Sequence, residues 1–141
     1  MKNKLLDLGF LWLRVIFALG IMQHGWGKII REGGVPAWTD ASVVPMGLPV
    51  PLLFGYLAVL SELVGGFLVL LGLWTRYASF AVACVVSTAA FVKLAAEPWS
   101  KKELAVAYAV VAVFFIIAGP GKYSVDGSKG GGRSSSAKKS K

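Results

Sequence analysis

The chain alternates between long apolar runs and short polar breaks. The runs cover roughly residues 8–28, 51–73, 77–95 and 103–118. A helix needs about 20 apolar residues to cross a hydrocarbon core of about 30 Å, and the fourth run, the shortest, can be extended at either end. Inside a bilayer the backbone must satisfy its own hydrogen bonds, so each run predicts a helix. The expected fold is an all-α integral membrane protein, an antiparallel bundle of four transmembrane helices. Residues 1–127 would form this domain, and residues 128–141 a disordered basic tail.

The breaks refine the picture. Only a tight turn around Trp74-Thr75-Arg76 separates the second and third runs, which predicts an antiparallel hairpin. Pro98 ends the third helix, and Ser100, three residues before Glu103, predicts a capping box. The stretch REGGVPAWTDASVVPMGLPV is rich in Gly and Pro and predicts a loop of about twenty residues. Loops of that length are uncommon unless they bind something or are disordered. MKNK before an apolar run resembles a signal peptide, with Ala18-Leu19-Gly20 as a small-x-small site. Arg14 interrupts that run and the helical pattern continues past Gly20, so an uncleaved first span is expected.

Composition agrees with a membrane location. The chain is 56% hydrophobic, more than a soluble domain of 141 residues could hide. Of the net charge of +8, the part from Gly121 onward carries +5. That tail has too little apolar surface to fold. Following a membrane helix, its charge is accounted for by anionic lipid headgroups, and no nucleic acid need be invoked. Lys2, Lys4, Arg76 and the tail outweigh Lys28, Arg31, Lys93, Lys101 and Lys102, so both termini are expected in the cytoplasm. The chain has one cysteine, Cys84, and one histidine, His24. Neither an intrachain disulfide nor a histidine-based metal or haem cage is available to it alone, and no metal site is expected.

Ionisable residues inside spans usually face the bundle interior or a cavity. Glu62 lies near the middle of the second span. Gly55, Ala58, Gly65 and Gly66 fall on or near its face, so it points into a close helix contact and must be paired or protonated. Arg14, on the antiparallel first span, is the expected partner in a structural ion pair, about four residues shallower, or ~6 Å. His24 and Lys28 are four apart and share a face with Arg14. Lys93 can join from the third span or snorkel to the headgroups. Trp26 fits an interfacial belt with or without a site. Cys84, Ser87, Thr88 and Tyr108 read as packing residues. For His24, a packing role and a binding or proton-handling role stay open, since histidine titrates near neutral pH.

With those residues in place, the chain resembles the DoxX family of small bacterial membrane proteins. The matching pieces are LRVIFALGIMQHGWGK (13–28), MGLPVP (46–51), LSELVGGFLVLLGLWTR (60–76) and AGPGKYSVDG (118–127). The resemblance implies a four-helix protein of the bacterial inner (plasma) membrane, a subunit of a membrane oxidoreductase. A quinone is the cofactor that would suit it. The ring would stack on Trp26 or Phe17, and the carbonyls would meet Lys28 or His24. His24 would be a proton partner, Glu62 a deeper relay, and Arg14 part of the binding seam. Partners would be the lipid bilayer, a soluble or membrane redox protein, and a second copy of the chain. Two other functions fit the same residues: a non-enzymatic adaptor acting through the first loop and tail, and a small-molecule or anion carrier.

Overall fold

The first apolar run folds as one unbroken helix, α1 (Lys2–Ile30), in a computed structural model that describes residues 2–130. The stretch expected as a long loop is largely helical. It contains α2 (Gly34–Ser42) and a 3-10 turn, Val44–Met46. Val35, Trp38, Thr39 and Ser42 form a stripe at helical spacing, and three of the four are fully buried. The second run begins at Pro51, whose fixed φ suits a first helical position. It comprises α3 (Pro51–Leu60), a π turn (Ser61–Gly65) and α4 (Gly66–Leu71). The third comprises α5 (Thr75–Thr88) and a second π turn (Ala89–Lys93). Then come α6 (Trp99–Ala118) and the short α7 (Val125–Gly130). No strand occurs among the described residues.

Three helical stretches are long and apolar enough to cross a membrane: Lys4–Ile30, Pro51–Leu71 and Thr75–Lys93. Helix α6 has 20 residues, but Lys101, Lys102 and Glu103 lie near its start. Its apolar part, 104–118, rises about 22 Å at 1.5 Å per residue. The helix starts directly after Pro98 with no side-chain cap, so the Ser100–Glu103 capping box does not form. Ser100 already lies inside the first turn, past the position from which it could cap.

Lipid gives little hydrophobic drive for helices to associate, so close backbone approach and van der Waals packing must hold them. Small residues supply that here. A Cβ on Gly25 would meet Leu63 Cγ at 2.9 Å and Glu62 Cβ at 3.0 Å, and one on Gly66 would meet Met22 Cγ at 2.7 Å. These pairings run in opposite order along the chain, so α1 lies antiparallel to α3–α4. Phe17, Ile21, Val69, Val82, Ala112 and Phe115 form the densest core, joining α1, α4, α5 and α6. The outward faces remain apolar, with Ile16, Leu60, Phe80 and Ile117 all exposed, as suits a lipid environment.

Candidate functional site

Two polar clusters lie about 21 Å apart along α1, the rise of the fourteen residues from Arg14 to Lys28. They involve different partners and do different things.

The cluster near the termini centres on Arg14, which is only 3% exposed. Its Nη1 donates to the carbonyl of Pro120 and its Nη2 to that of Tyr123, each at 2.5 Å. The segment 119–127 thus folds back over the start of α1. Gly121 packs on Phe10, and Lys122 reaches Asp7 at 3.9 Å. Asp126 closes the clasp. Its backbone N–H donates to Gly72 O at 3.0 Å, and its carboxylate accepts from Thr75 N at 3.3 Å. One residue therefore satisfies the end of α4 and the start of α5, which otherwise leave backbone groups unpaired. Gly72 has φ +70, and a side chain there would strike Ser124 and the Arg14 guanidinium. Arg76 adds a bond of 3.3 Å to Ile117 O.

The expected Arg14–Glu62 pair does not exist. Counting from the expected cytoplasmic ends puts Arg14 about four residues shallower than Glu62, but α1 starts at Lys2 and extends about three turns beyond the end of α4. Arg14 is consequently level with Gly72, and Gly25 with Glu62. Arg14 also lies outside the cavity described next, which removes it from the binding seam expected from sequence.

At the other end, Glu62 pairs with Lys28. Both side chains are largely buried, 6% and 13% exposed. Glu62 sits on the first π turn and Lys93 ends the second. A π turn inserts an extra residue and re-aims the side chains around it, and such turns are frequent at functional sites. The Lys28 ammonium lies 4.3 Å from the centre of the Trp38 ring, and that of Lys93 5.8 Å from the same ring. Lys93 Nζ also donates to Ser42 Oγ at 3.0 Å. Cation–π contacts of this kind contribute about 0.5–2 kcal/mol, more when desolvated.

Beside the pair lies an open cavity of about 1070 Å³. Its walls come from α1, α2, α3, α5 and α6 and are mostly apolar. His24, Lys28, Trp26 and Glu62 all line it, as do Trp38 and Tyr108. Tyr108 abuts Gly20 and stands edge-on to His24, ring centres 5.6 Å apart. Phe17 is not available for stacking: it is 3% exposed, packed on Tyr108 and Phe115 at 5.8 Å. Sequence reasoning missed Trp38 and Ser42 and read Tyr108 only as a packing residue. The helical stripe through Val35, Trp38, Thr39 and Ser42 was the available signal for the first two.

A helical membrane protein with a buried ion pair in the wall of a large apolar cavity is the class this geometry defines. The chain belongs to the DoxX family, whose model matches residues 9–94, more than half its length. It is similar to inner membrane protein YqjF of Escherichia coli (strain K12), 31% identical over 128 residues, covering 88% of this chain and 94% of the relative. No solved structure matches.

Proposed function

We propose that this protein is a multi-pass protein of the bacterial inner membrane, and the membrane subunit of an oxidoreductase whose cavity takes a quinone. The carrying observation is the buried Lys28–Glu62 pair in the wall of an apolar cavity that also presents His24 and Tyr108. The name of the Escherichia coli relative supports the location. Helix α6 would be the fourth span of an antiparallel bundle, since its face through Val110, Val113 and Ile117 is apolar and exposed. The Lys and Arg balance favours cytoplasmic termini.

The donor set fits a quinone: apolar and aromatic walls for a flat ring, and few polar groups to fix its edge. A bound quinone supplies electron transfer coupled to proton uptake or release. Lys28 Nζ can donate to an acceptor oxygen while Glu62 holds its charge. The His24 ring nitrogens can take or give a proton at the cavity wall. Electrons would pass to or from a partner protein, because a lone histidine and a lone cysteine provide no carrier of their own.

Short-chain ubiquinone and menaquinone analogues should bind the purified protein in nanodiscs. His24→Ala should weaken binding about tenfold, the scale of one lost hydrogen bond. Failure of both analogues to bind the folded protein removes this reading.

A further inference from the structure

Beyond the ion pair, the cavity wall holds more positive charge than it neutralises. Its lining residues of the acidic and basic types are His24, Lys28, Glu62, Lys93 and Lys101. Glu62, the single acid among them, is taken by Lys28. Lys101 is paired at 2.8 Å with Glu97. Lys93 meets only a neutral hydroxyl, that of Ser42, and the face of Trp38. Among the described residues no carboxylate lies within ion-pair distance of it. An ammonium that merely snorkelled to the headgroups would extend away from the bundle. Although the residue is exposed, its ammonium bonds Ser42 on α2 and lies against the ring that Lys28 also covers.

We infer that Lys93 and Trp38 form the head-group subsite of the cavity, with the buried Ser42 behind them holding the Lys93 ammonium in place, for an amphiphile with a single phosphate-like anionic head and an apolar chain. The anion would sit against Lys93 Nζ, which Ser42 positions, and gain from Lys28 across the Trp38 ring. Charge-assisted bonds of this type are the strong ones, and Lys serves as a point charge for phosphate. The chain would lie along the apolar wall built by Val43, Met46, Phe54, Leu57 and Ala58. Two sources carry that head: a membrane phospholipid, or a free anion entering from the aqueous side. This inference does not rest on the quinone reading, and its readout is anion binding.

The test titrates the full-length protein in neutral detergent with dodecyl phosphate, inorganic phosphate and dodecyl maltoside, by calorimetry. Native mass spectrometry then follows retained phosphatidylglycerol against phosphatidylcholine. Dodecyl phosphate should bind one per chain, and Lys93→Gln should weaken it by at least about tenfold. Lys93→Arg should retain it, and Ser42→Ala should show an intermediate loss. Preferential retention of phosphatidylglycerol, lost in Lys93→Gln, assigns the site to a lipid. Displacement of dodecyl phosphate by inorganic phosphate at similar concentration assigns the subsite to a free anion and overturns the placement of a chain on the apolar wall. Equal binding of dodecyl phosphate by wild type and Lys93→Gln overturns the subsite, as does binding no tighter than that of dodecyl maltoside. Lys93 ends its π turn and is exposed, so the variant should fold; near-native helicity by circular dichroism checks this.

Discussion

Arg14 and Lys28 are both cations on one face of α1, and both point into the bundle, yet their surroundings differ in kind. Arg14 is bound by backbone carbonyls of a segment that folds over it, and only its Nε lacks a partner. It does not line the large cavity. Lys28 is held by side chains, Glu62 and the Trp38 ring, and one flank opens on a large apolar space. A buried cation alone does not make a site. Arg14 uses its donors on the fold itself, whereas the pair at Lys28 leaves polar groups facing a space that a ligand can occupy. The first arrangement fixes how the chain closes on itself; the second is suited to exchange.

The contrast is sharpest for Arg14→Ala. It removes two charged hydrogen bonds, each contributing about 1.5–3 kcal/mol, so the loss should be about 3–6 kcal/mol. Denaturant unfolding in detergent would measure it. Quinone and phosphate binding by the fraction that remains folded should be unchanged. Binding lost in step with Arg14, at constant folded fraction, would show that the two ends are coupled and break the comparison.

Lys28→Ala comes next. Removing one member of a buried pair leaves the other uncompensated and costs about 3–5 kcal/mol. Here stability and binding should separate. A Lys28→Met, Glu62→Leu double variant replaces both charges with apolar groups of similar size. Such replacements are often neutral or stabilising, so unfolding should return to near wild type while quinone binding stays lost. If the double variant binds as wild type does, the pair is a structural lock like the one at Arg14.

The two ends were unequally legible in the sequence. Glu62 among Gly55, Ala58, Gly65 and Gly66 was readable, because helical phase alone puts those small residues on its face, and all are buried. His24 and Lys28 were readable for the same reason. Relative depth was not. Helical phase fixes direction around an axis but not the height of one helix against another. That height depends on α1 starting at Lys2 and on 119–127 folding back, both long-range facts. Arg14 pairs with backbone carbonyls, which no side-chain pattern announces. The segment 31–50 was misread because its Gly and Pro residues suggested a loop. Pro36 near the start of α2 is compatible with a helix, and the buried stripe beside it carried the correct period. The π turns that carry Glu62 and Lys93 had no sequence signature.

The smallest effect expected tests the clasp in parts. Asp126 acts twice, through its N–H to Gly72 O and through its carboxylate to Thr75 N. Asp126→Ala removes only the second contact, a capping interaction of about 1 kcal/mol. Asp126→Asn keeps an acceptor and should lose a few tenths of a kcal/mol at most. Both are measured by the same unfolding titration as Arg14→Ala. Because Arg14 bonds to Pro120 and Tyr123 rather than to Asp126, the double variant Arg14→Ala, Asp126→Ala should lose close to the sum of the two. A double loss well below that sum means the segment 119–127 detaches as one unit once either anchor goes. The terminal end of the protein would then be a single cooperative latch, and the carbonyl contacts of Arg14 and the carboxylate cap of Asp126 would not be separable contributions.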